Sequence, residues 1–198
     1  MTTSQNGWPV QDTKAKLWPH PEVGPILGGP VWVVMAAFLR RYQAEIETIG
    51  RSSGCYNRRR IAGSTKWSNH ASATAVDLNW NLHPAGAQHT GYSARQITDL
   101  TALLAEFPVL RWGGPAFNDP MHYEIRPGVT RAQVKKLATT LLQKQLLTHG
   151  FALEVDGVRG AVTTAALLEF QRAQGLEADG VDGPKTWSAL LTTSTVAA

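Results

Sequence analysis

The sequence predicts an α+β protein, in which helices pack against a small, mostly antiparallel sheet and a small bundle of three helices follows. Apolar and polar residues alternate at 74–80 and 121–125, as in half-buried strands. Longer stretches carry apolar residues at helical spacing. The C-terminal third contains an internal repeat. We therefore predict two domains, at 1–127 (core about 25–127) and 128–198.

Composition indicates a globular chain of ordinary polarity. Of its 198 residues, 43% are hydrophobic and 17% are charged. No apolar run approaches the roughly 18 residues of a membrane helix, so we expect no membrane insertion. The N-terminus lacks the basic start and apolar core of a secretory signal, and we expect the protein to remain at first in the cytoplasm where it is made. The single cysteine, Cys55, excludes an internal disulfide.

The formal net charge is +4, and the one dense basic run is Arg58-Arg59-Arg60. Such a run suits an acidic partner, for example nucleic acid or an anionic cell-wall polymer. A solvated loop explains three arginines equally simply, and we expect no nucleic-acid partner. Neither a P-loop nor a GxGxxG stretch occurs, so nucleotide binding has no support.

The repeat has the pattern DGVxGxxT and occurs at 156–163 and 179–186. Its glycines indicate tight turns, and each threonine lies near the start of a helical run. The first predicted helix spans 131–148, with Thr130 as N-cap and Gly150 after its end. The second spans 165–174 and the third 186–191. Three short helices joined by glycine turns indicate a compact bundle.

Two further helices are predicted before the bundle. One carries apolar residues from Trp32 to Ile46 and ends at Gly50. The other begins after Ser93, a residue that commonly caps helices. We interpret the apolar residues of both helices as core.

Several residues could form a metal site. His70 and Asp77 lie in the small-residue stretch SNHASATAVDLN, and alternation over 74–80 places Val76, Leu78 and Trp80 on one strand face and Asp77 on the other. His122 lies on a second predicted strand, where Glu124 shares its face and could orient its ring. The helical HExxH motif is absent. Spacing alone leaves open that these are structural or surface residues.

The C-terminal segment at about 129–195 closely resembles the bacterial peptidoglycan-binding domain. The matched positions are Leu142-Gln143, Gly150, Asp156-Gly157, Gly160, Thr163, Phe170-Gln171, Gly175-Leu176, Asp179-Gly180, Gly183-Pro184 and Thr186-Trp187. The resemblance implies peptidoglycan as the binding partner.

The segment at about 25–127 is similar to the VanY-like zinc peptidases, which include D-alanyl-D-alanine carboxypeptidases and phage L-alanyl-D-glutamate endopeptidases. The motifs are Ser68-x-His70, Ala75-x-Asp77-x-Asn79, Asp119-x-x-His122-Tyr-Glu124, Tyr56 to Ser64, and Trp112-Gly113-Gly114. The chain departs from the family at Ala73, where glycine is usual. This departure bears on the geometry of the loop between His70 and Asp77.

The resemblance implies a zinc ion held by His70, Asp77 and His122. It places Asp119 at the position of the general base. Arg59 matches the arginine that stabilises the oxyanion, with Arg60 as the alternative because three consecutive arginines blur the register.

Together the two resemblances predict a monomeric zinc peptidase of peptidoglycan, in the form of a phage endolysin. Such a protein would stay in the host cytoplasm until released to the cell wall. The alternatives are a bacterial D-alanyl-D-alanine carboxypeptidase and a wall-binding protein whose peptidase domain is inactive.

Overall fold

The computed structural model describes residues 2–191 and has a mixed α/β architecture. Residues 192–198, which the predicted second domain includes, lie outside the described residues. Within residues 2–191, six α-helices and five short strands follow one another: β1 (Leu17–Trp18), β2 (Ile26–Leu27), α1 (Pro30–Glu45), β3 (Ala75–Asp77), α2 (Ala94–Glu106), β4 (Leu110–Trp112), α3 (Gly113–Phe117), β5 (His122–Ile125), α4 (Arg131–Thr148), α5 (Ala161–Ala173) and α6 (Pro184–Leu191).

The strands form two antiparallel sheets, which confirms the predicted class. β1 pairs with β2, and the larger sheet has the order β3-β5-β4. In that sheet Asp77 pairs with His122 and Ala75 with Glu124. The strand predicted at 121–125 therefore lies directly against the one predicted at 74–80. Neither β4 nor the short helix α3 was predicted.

Two helices cover the sheet and form the core with it. α1 begins with Pro30 at its first position and buries residues on all sides, including Phe38 and Tyr42. It ends at Glu45, about one turn before the predicted end at Gly50. α2 begins as predicted at Ser93, whose hydroxyl accepts a hydrogen bond from the backbone of Gln96 in a capping box.

The prediction for 74–80 was wrong beyond Asp77. Leu78 is fully buried, but Trp80 is 45% exposed and does not share its face. Asn79 causes the break, because its backbone is left-handed (φ 48°) and such a residue cannot continue a strand. Its side-chain oxygen accepts the backbone N–H of Gly50 at 2.7 Å, which ties the end of β3 to the segment after α1.

A partly buried carboxylate, that of Glu47, organises the region beside Asn79. Glu47 accepts hydrogen bonds from Tyr42 at 2.8 Å, Asn79 at 2.6 Å and His83 at 2.8 Å. Burial alone would raise the pKa of Glu47, but these hydrogen bonds outweigh it and lower that pKa below its usual 4.5. His83 lies in the loop between β3 and α2, yet it is only 1% exposed.

Replacing Glu47 by glutamine is expected to cost about 1–2 kcal/mol of unfolding free energy near neutral pH. A carboxylate with a lowered pKa stabilises the fold above its unfolded-state pKa, and this contribution is lost as the pH falls. In urea titrations the difference between wild type and Glu47→Gln should therefore be smaller at about pH 3 than at about pH 6, because it is lost only as the pH falls below the unfolded-state pKa and through the lowered pKa of the folded state. Glu45→Gln, which changes an exposed carboxylate on α1, is the control. An equal difference at both pH values would contradict the expectation.

The repeats of the C-terminal bundle each enclose a buried glutamine. The Gln143 amide donates to Asp156 (2.7 Å), to the carbonyl of residue 158 (3.1 Å) and to Thr163 (3.1 Å). Gln171 repeats the arrangement with Asp179 (2.9 Å), the carbonyl of residue 181 (3.0 Å) and Thr186 (3.2 Å). The repeated aspartates and threonines thus stabilise the turns, by accepting hydrogen bonds from the buried glutamine. Three helices joined by these turns confirm the predicted bundle, although α5 begins at Ala161, four residues early.

The bundle packs directly on the first part of the chain. α4 lies along α1, and buried residues of both helices belong to one continuous core. Residues 126–130 connect β5 to α4, and Thr130 caps α4 as predicted, in a capping box with Gln133. Within 2–191, no helix has both the length and the apolar character needed to cross a membrane.

Candidate metal centre and active site

Three side chains converge at one end of the larger sheet. His70 lies in the 3₁₀ turn Asn69–Ser72, Asp77 ends β3 and His122 begins β5. His70 Nε2 lies 3.3 Å from His122 Nδ1 and 3.1 Å from Asp77 Oδ2, and His122 Nδ1 lies 2.8 Å from Asp77 Oδ1. Ligand atoms about 2.0–2.1 Å from a tetrahedral zinc ion stand roughly 3.3 Å apart. The triangle therefore has the size and the donor set that a metal ion requires.

The second ring nitrogen of each histidine is also held. His70 Nδ1 donates to the carbonyl of Cys55 at 2.6 Å, and His122 Nε2 donates to Glu124 at 3.1 Å. Metal-binding histidines nearly always donate their other ring N–H in this way. Two independent anchors of this kind leave one nitrogen of each ring facing the triangle, so the residues present fit a metal ion.

The charges of the site favour cation binding. Burial would raise the pKa of Asp77, but hydrogen bonds from His122 and His70 outweigh it and hold that pKa far below its usual range. Burial lowers the pKa of His122, whereas Asp77 and Glu124 raise it to a net value of about 9. A metal ion entering the site would therefore displace a proton from His122 at neutral pH.

Asp119 lies at the mouth of the site. Its backbone carbonyl accepts the N–H of His122 at 3.1 Å, which places it beside the ligands. Its Oδ1 is buried and has no hydrogen-bond partner within residues 2–191. Burial, the largest influence, raises the pKa of this carboxyl. A buried, unpartnered carboxylate oxygen beside a metal triangle is suited to hold and accept a proton from a water molecule.

Gly113 explains part of the motif Trp112-Gly113-Gly114. A Cβ atom at Gly113 would lie 2.6 Å from the backbone oxygen of Asp119. Only glycine permits this close approach, and it sets the position of the loop that carries Asp119.

The structure separates the three arginines. The guanidinium groups of Arg58 and Arg60 lie 4.7 and 4.5 Å from the ring centre of Trp67, and Arg58 also pairs with Asp12 at 2.7 Å. Arg59 lines the site cavity of about 370 Å³, and among the described residues its guanidinium has no hydrogen bond or ring contact. The geometry therefore favours Arg59 over Arg60 as the arginine available to a bound substrate.

Ala73 adopts a left-handed conformation (φ 55°, ψ 38°) at the end of the turn that carries His70. Its N–H donates to the carbonyl of His70 at 3.0 Å. Glycine is the residue that such a position favours, which gives a physical reason for the glycine that the resemblance led us to expect here. Alanine preserves the turn here, although the left-handed backbone costs roughly 1–2 kcal/mol.

Changing Ala73 to valine is expected to destabilise the protein by about 2–4 kcal/mol, because a β-branched residue is strained in this conformation and the site is fully packed. Ala73→Gly is the matched control. It relieves the backbone but loses a buried methyl group, so we expect a change of less than about 1 kcal/mol. Urea unfolding of the metal-free variants measures both. Equal stability of the valine and glycine variants would contradict the assignment.

Sequence reasoning missed four residues of the site: Gln5, Asn69, Arg111 and Phe117, all of which line the cavity. Asn69 lies inside the stretch SNHASATAVDLN, but an asparagine beside a histidine carries no distinctive signal.

Cys55 is buried, and burial raises the pKa of its thiol, which does not suit a nucleophile.

Two family models match the chain. The model for D-alanyl-D-alanine carboxypeptidase matches residues 62–125, which include the three converging side chains and Asp119. The model for a peptidoglycan binding domain matches residues 135–190. The chain thus has a segment that matches the carboxypeptidase model, followed by a segment that matches the model of a peptidoglycan binding domain. These matches support a peptidase that acts on peptidoglycan. No curated protein and no solved structure shows a significant match.

Proposed function

We propose that the protein is a zinc-dependent peptidoglycan endopeptidase of the phage endolysin type, which cleaves an L-alanyl-D-glutamate or related amide bond of the wall. The observation that carries the proposal is the triangle of His70, Asp77 and His122, which opens into a cavity beside Asp119. The peptidoglycan-binding domain supports the polymer as substrate. We further propose that the protein acts as a monomer and stays in the host cytoplasm until it is released to the wall.

Zinc is the metal that best fits the site. Two imidazole nitrogens and one carboxylate make a donor set typical of catalytic zinc, which keeps a further position open. When bound, the ion supplies a Lewis acid and lowers the pKa of a coordinated water toward ~7.

The chain's own residues supply the proton transfer. Asp119 is the proposed general base: its unpartnered Oδ1 would take a proton from the attacking water and pass it to the amine that leaves. Breaking the amide bond then yields a carboxylate and an amine. Arg59 lines the same cavity, and its free guanidinium would stabilise the negative charge that develops on the carbonyl oxygen.

The test is digestion of purified cell walls by the zinc-loaded protein, with mass spectrometry of the soluble products. Release of stem peptides or cross-link fragments with new amino termini supports the endopeptidase. Loss of a single terminal alanine would instead identify a D,D-carboxypeptidase. If walls bind the protein but no amide bond is cleaved, the peptidase proposal fails and a wall-binding role remains.

A further inference from the structure

The N-terminal segment, residues 2–11, forms part of the wall behind the metal site. Its side chains alternate, so that Ser4, Asn6 and Trp8 are buried while Gln5 is exposed and lines the site cavity. The backbone N–H of Asn6 donates to the side-chain oxygen of Asn69 at 2.8 Å. A segment about sixty residues away in sequence thus contacts the residue that precedes His70.

This contact determines which way the Asn69 amide points. A backbone N–H can only donate, so the amide must present its oxygen to Asn6 and its NH₂ group to the other side. On that side the NH₂ group donates to Glu124 Oε2. The orientation of Asn69 therefore follows from the donor that the N-terminal segment provides.

Glu124 completes the chain of hydrogen bonds. Its Oε2 also accepts from His122 Nε2 at 3.1 Å, while Arg111 Nε donates to Oε1 at 2.7 Å. The carboxylate is 1% exposed and is held from both ends. Because it accepts only, His122 must carry a proton on Nε2, and Nδ1 faces Asp77 and His70.

We propose that the Asn6 backbone N–H and the Asn69 amide act as positioning groups, which hold Glu124 so that His122 presents Nδ1 to the metal. This inference rests on the metal site of the proposed function. The N-terminal segment is then a component of the metal centre, connected to it by the series Asn6, Asn69, Glu124 and His122.

The side chain of Asn6 offers a matched control. Its amide donates to Thr74 at 2.9 Å and to the carbonyl of Ile125 at 3.0 Å, contacts that stabilise the segment without touching Glu124. Asn6→Ala removes these contacts and keeps the backbone N–H. Asn69→Ala instead removes the link to Glu124. Both variants lose buried hydrogen bonds, but only the second interrupts the series.

The experiment measures zinc affinity by competition with a chromophoric chelator, together with thermal unfolding of the metal-free proteins. Asn69→Ala is expected to weaken zinc binding by about 10-fold, the lower end of what the loss of a direct partner of a metal ligand costs, because Asn69 acts on His122 only through Glu124. Asn6→Ala is expected to lower the unfolding midpoint but to change zinc affinity by less than about threefold. ¹⁵N NMR of the zinc-loaded wild type should find the His122 proton on Nε2.

The outcomes separate this inference from the proposed function. Wild-type affinity in Asn69→Ala, equal losses in both variants, or a wild-type His122 that keeps its proton on Nδ1 would each overturn the positioning role while the metal site stands. A wild-type protein that binds no zinc would overturn the metal site itself. The NMR measurement needs no variant, so a proton on Nδ1 would overturn the inference even if Asn69→Ala does not fold.

Discussion

Replacing Asp119 by asparagine is expected to lower kcat on cell-wall substrate by about 10²–10⁴-fold and to leave zinc content unchanged. Asparagine keeps the shape of the side chain but cannot accept the proton of the attacking water. The metal-facing atoms belong to other residues, and the contact that Asp119 makes with His122 comes from its backbone carbonyl. In this variant kcat should therefore fall while the zinc content stays at the wild-type level.

The measurement pairs initial rates of wall solubilisation with metal analysis of the purified protein. Asp99→Asn is the control, since Asp99 is an exposed carboxylate on α2. Substantial activity in Asp119→Asn would remove Asp119 from the proton transfer. Loss of zinc together with activity would mean that Asp119 supports the metal instead.

Changing His122 to alanine is expected to weaken zinc binding by more than about 100-fold, since even outer partners of metal ligands contribute 10–100-fold. Activity should be lost with the metal. In the wild type, zinc at about 100 times its dissociation constant should stabilise the fold by about 2.7 kcal/mol. In His122→Ala, calorimetry at the same zinc concentration should show little of this shift.

His89→Ala is the control for the loss of a histidine as such, because His89 is exposed in the loop before α2. A chelator should abolish wild-type activity, and added zinc should restore it. The ligand assignment is wrong if His122→Ala retains both the zinc-dependent stabilisation and the activity.

Alternation of apolar and polar residues predicted these two strands, because the apolar face of each strand packs in the core while the other face carries the polar side chains of the site. His122 and Glu124 do share a face, as predicted. The structure adds that Asp77 pairs with His122. The pattern over 74–80 failed where Asn79 adopts a left-handed backbone, a conformation that its hydrogen bonds to distant residues impose. Strand β4 has three residues, too few for any periodicity to appear.

Contacts between side chains that lie far apart in the sequence were harder to predict. The sequence left open which of three consecutive arginines faces the cavity. Arg58 and Arg60 contact the ring of Trp67, while Arg59 lines the cavity, and the arginine run itself carries no sign of this difference. The contact of Asn6 with Asn69 likewise joins segments 63 residues apart. Such pairings depend on tertiary packing, and neither residue carries a local pattern that reveals its partner.

The packing of α4 along α1 has a consequence for how the enzyme would work on an insoluble polymer. A catalytic domain on a flexible linker can reach many bonds around the point where its binding domain is attached. A catalytic cleft held rigidly to the binding domain reaches only the bonds at one fixed distance from that point. Once those bonds are cut, the protein must dissociate from the wall and rebind before it can cut again. Lysis should therefore be fastest at an intermediate strength of wall attachment, and tighter anchoring would slow the enzyme.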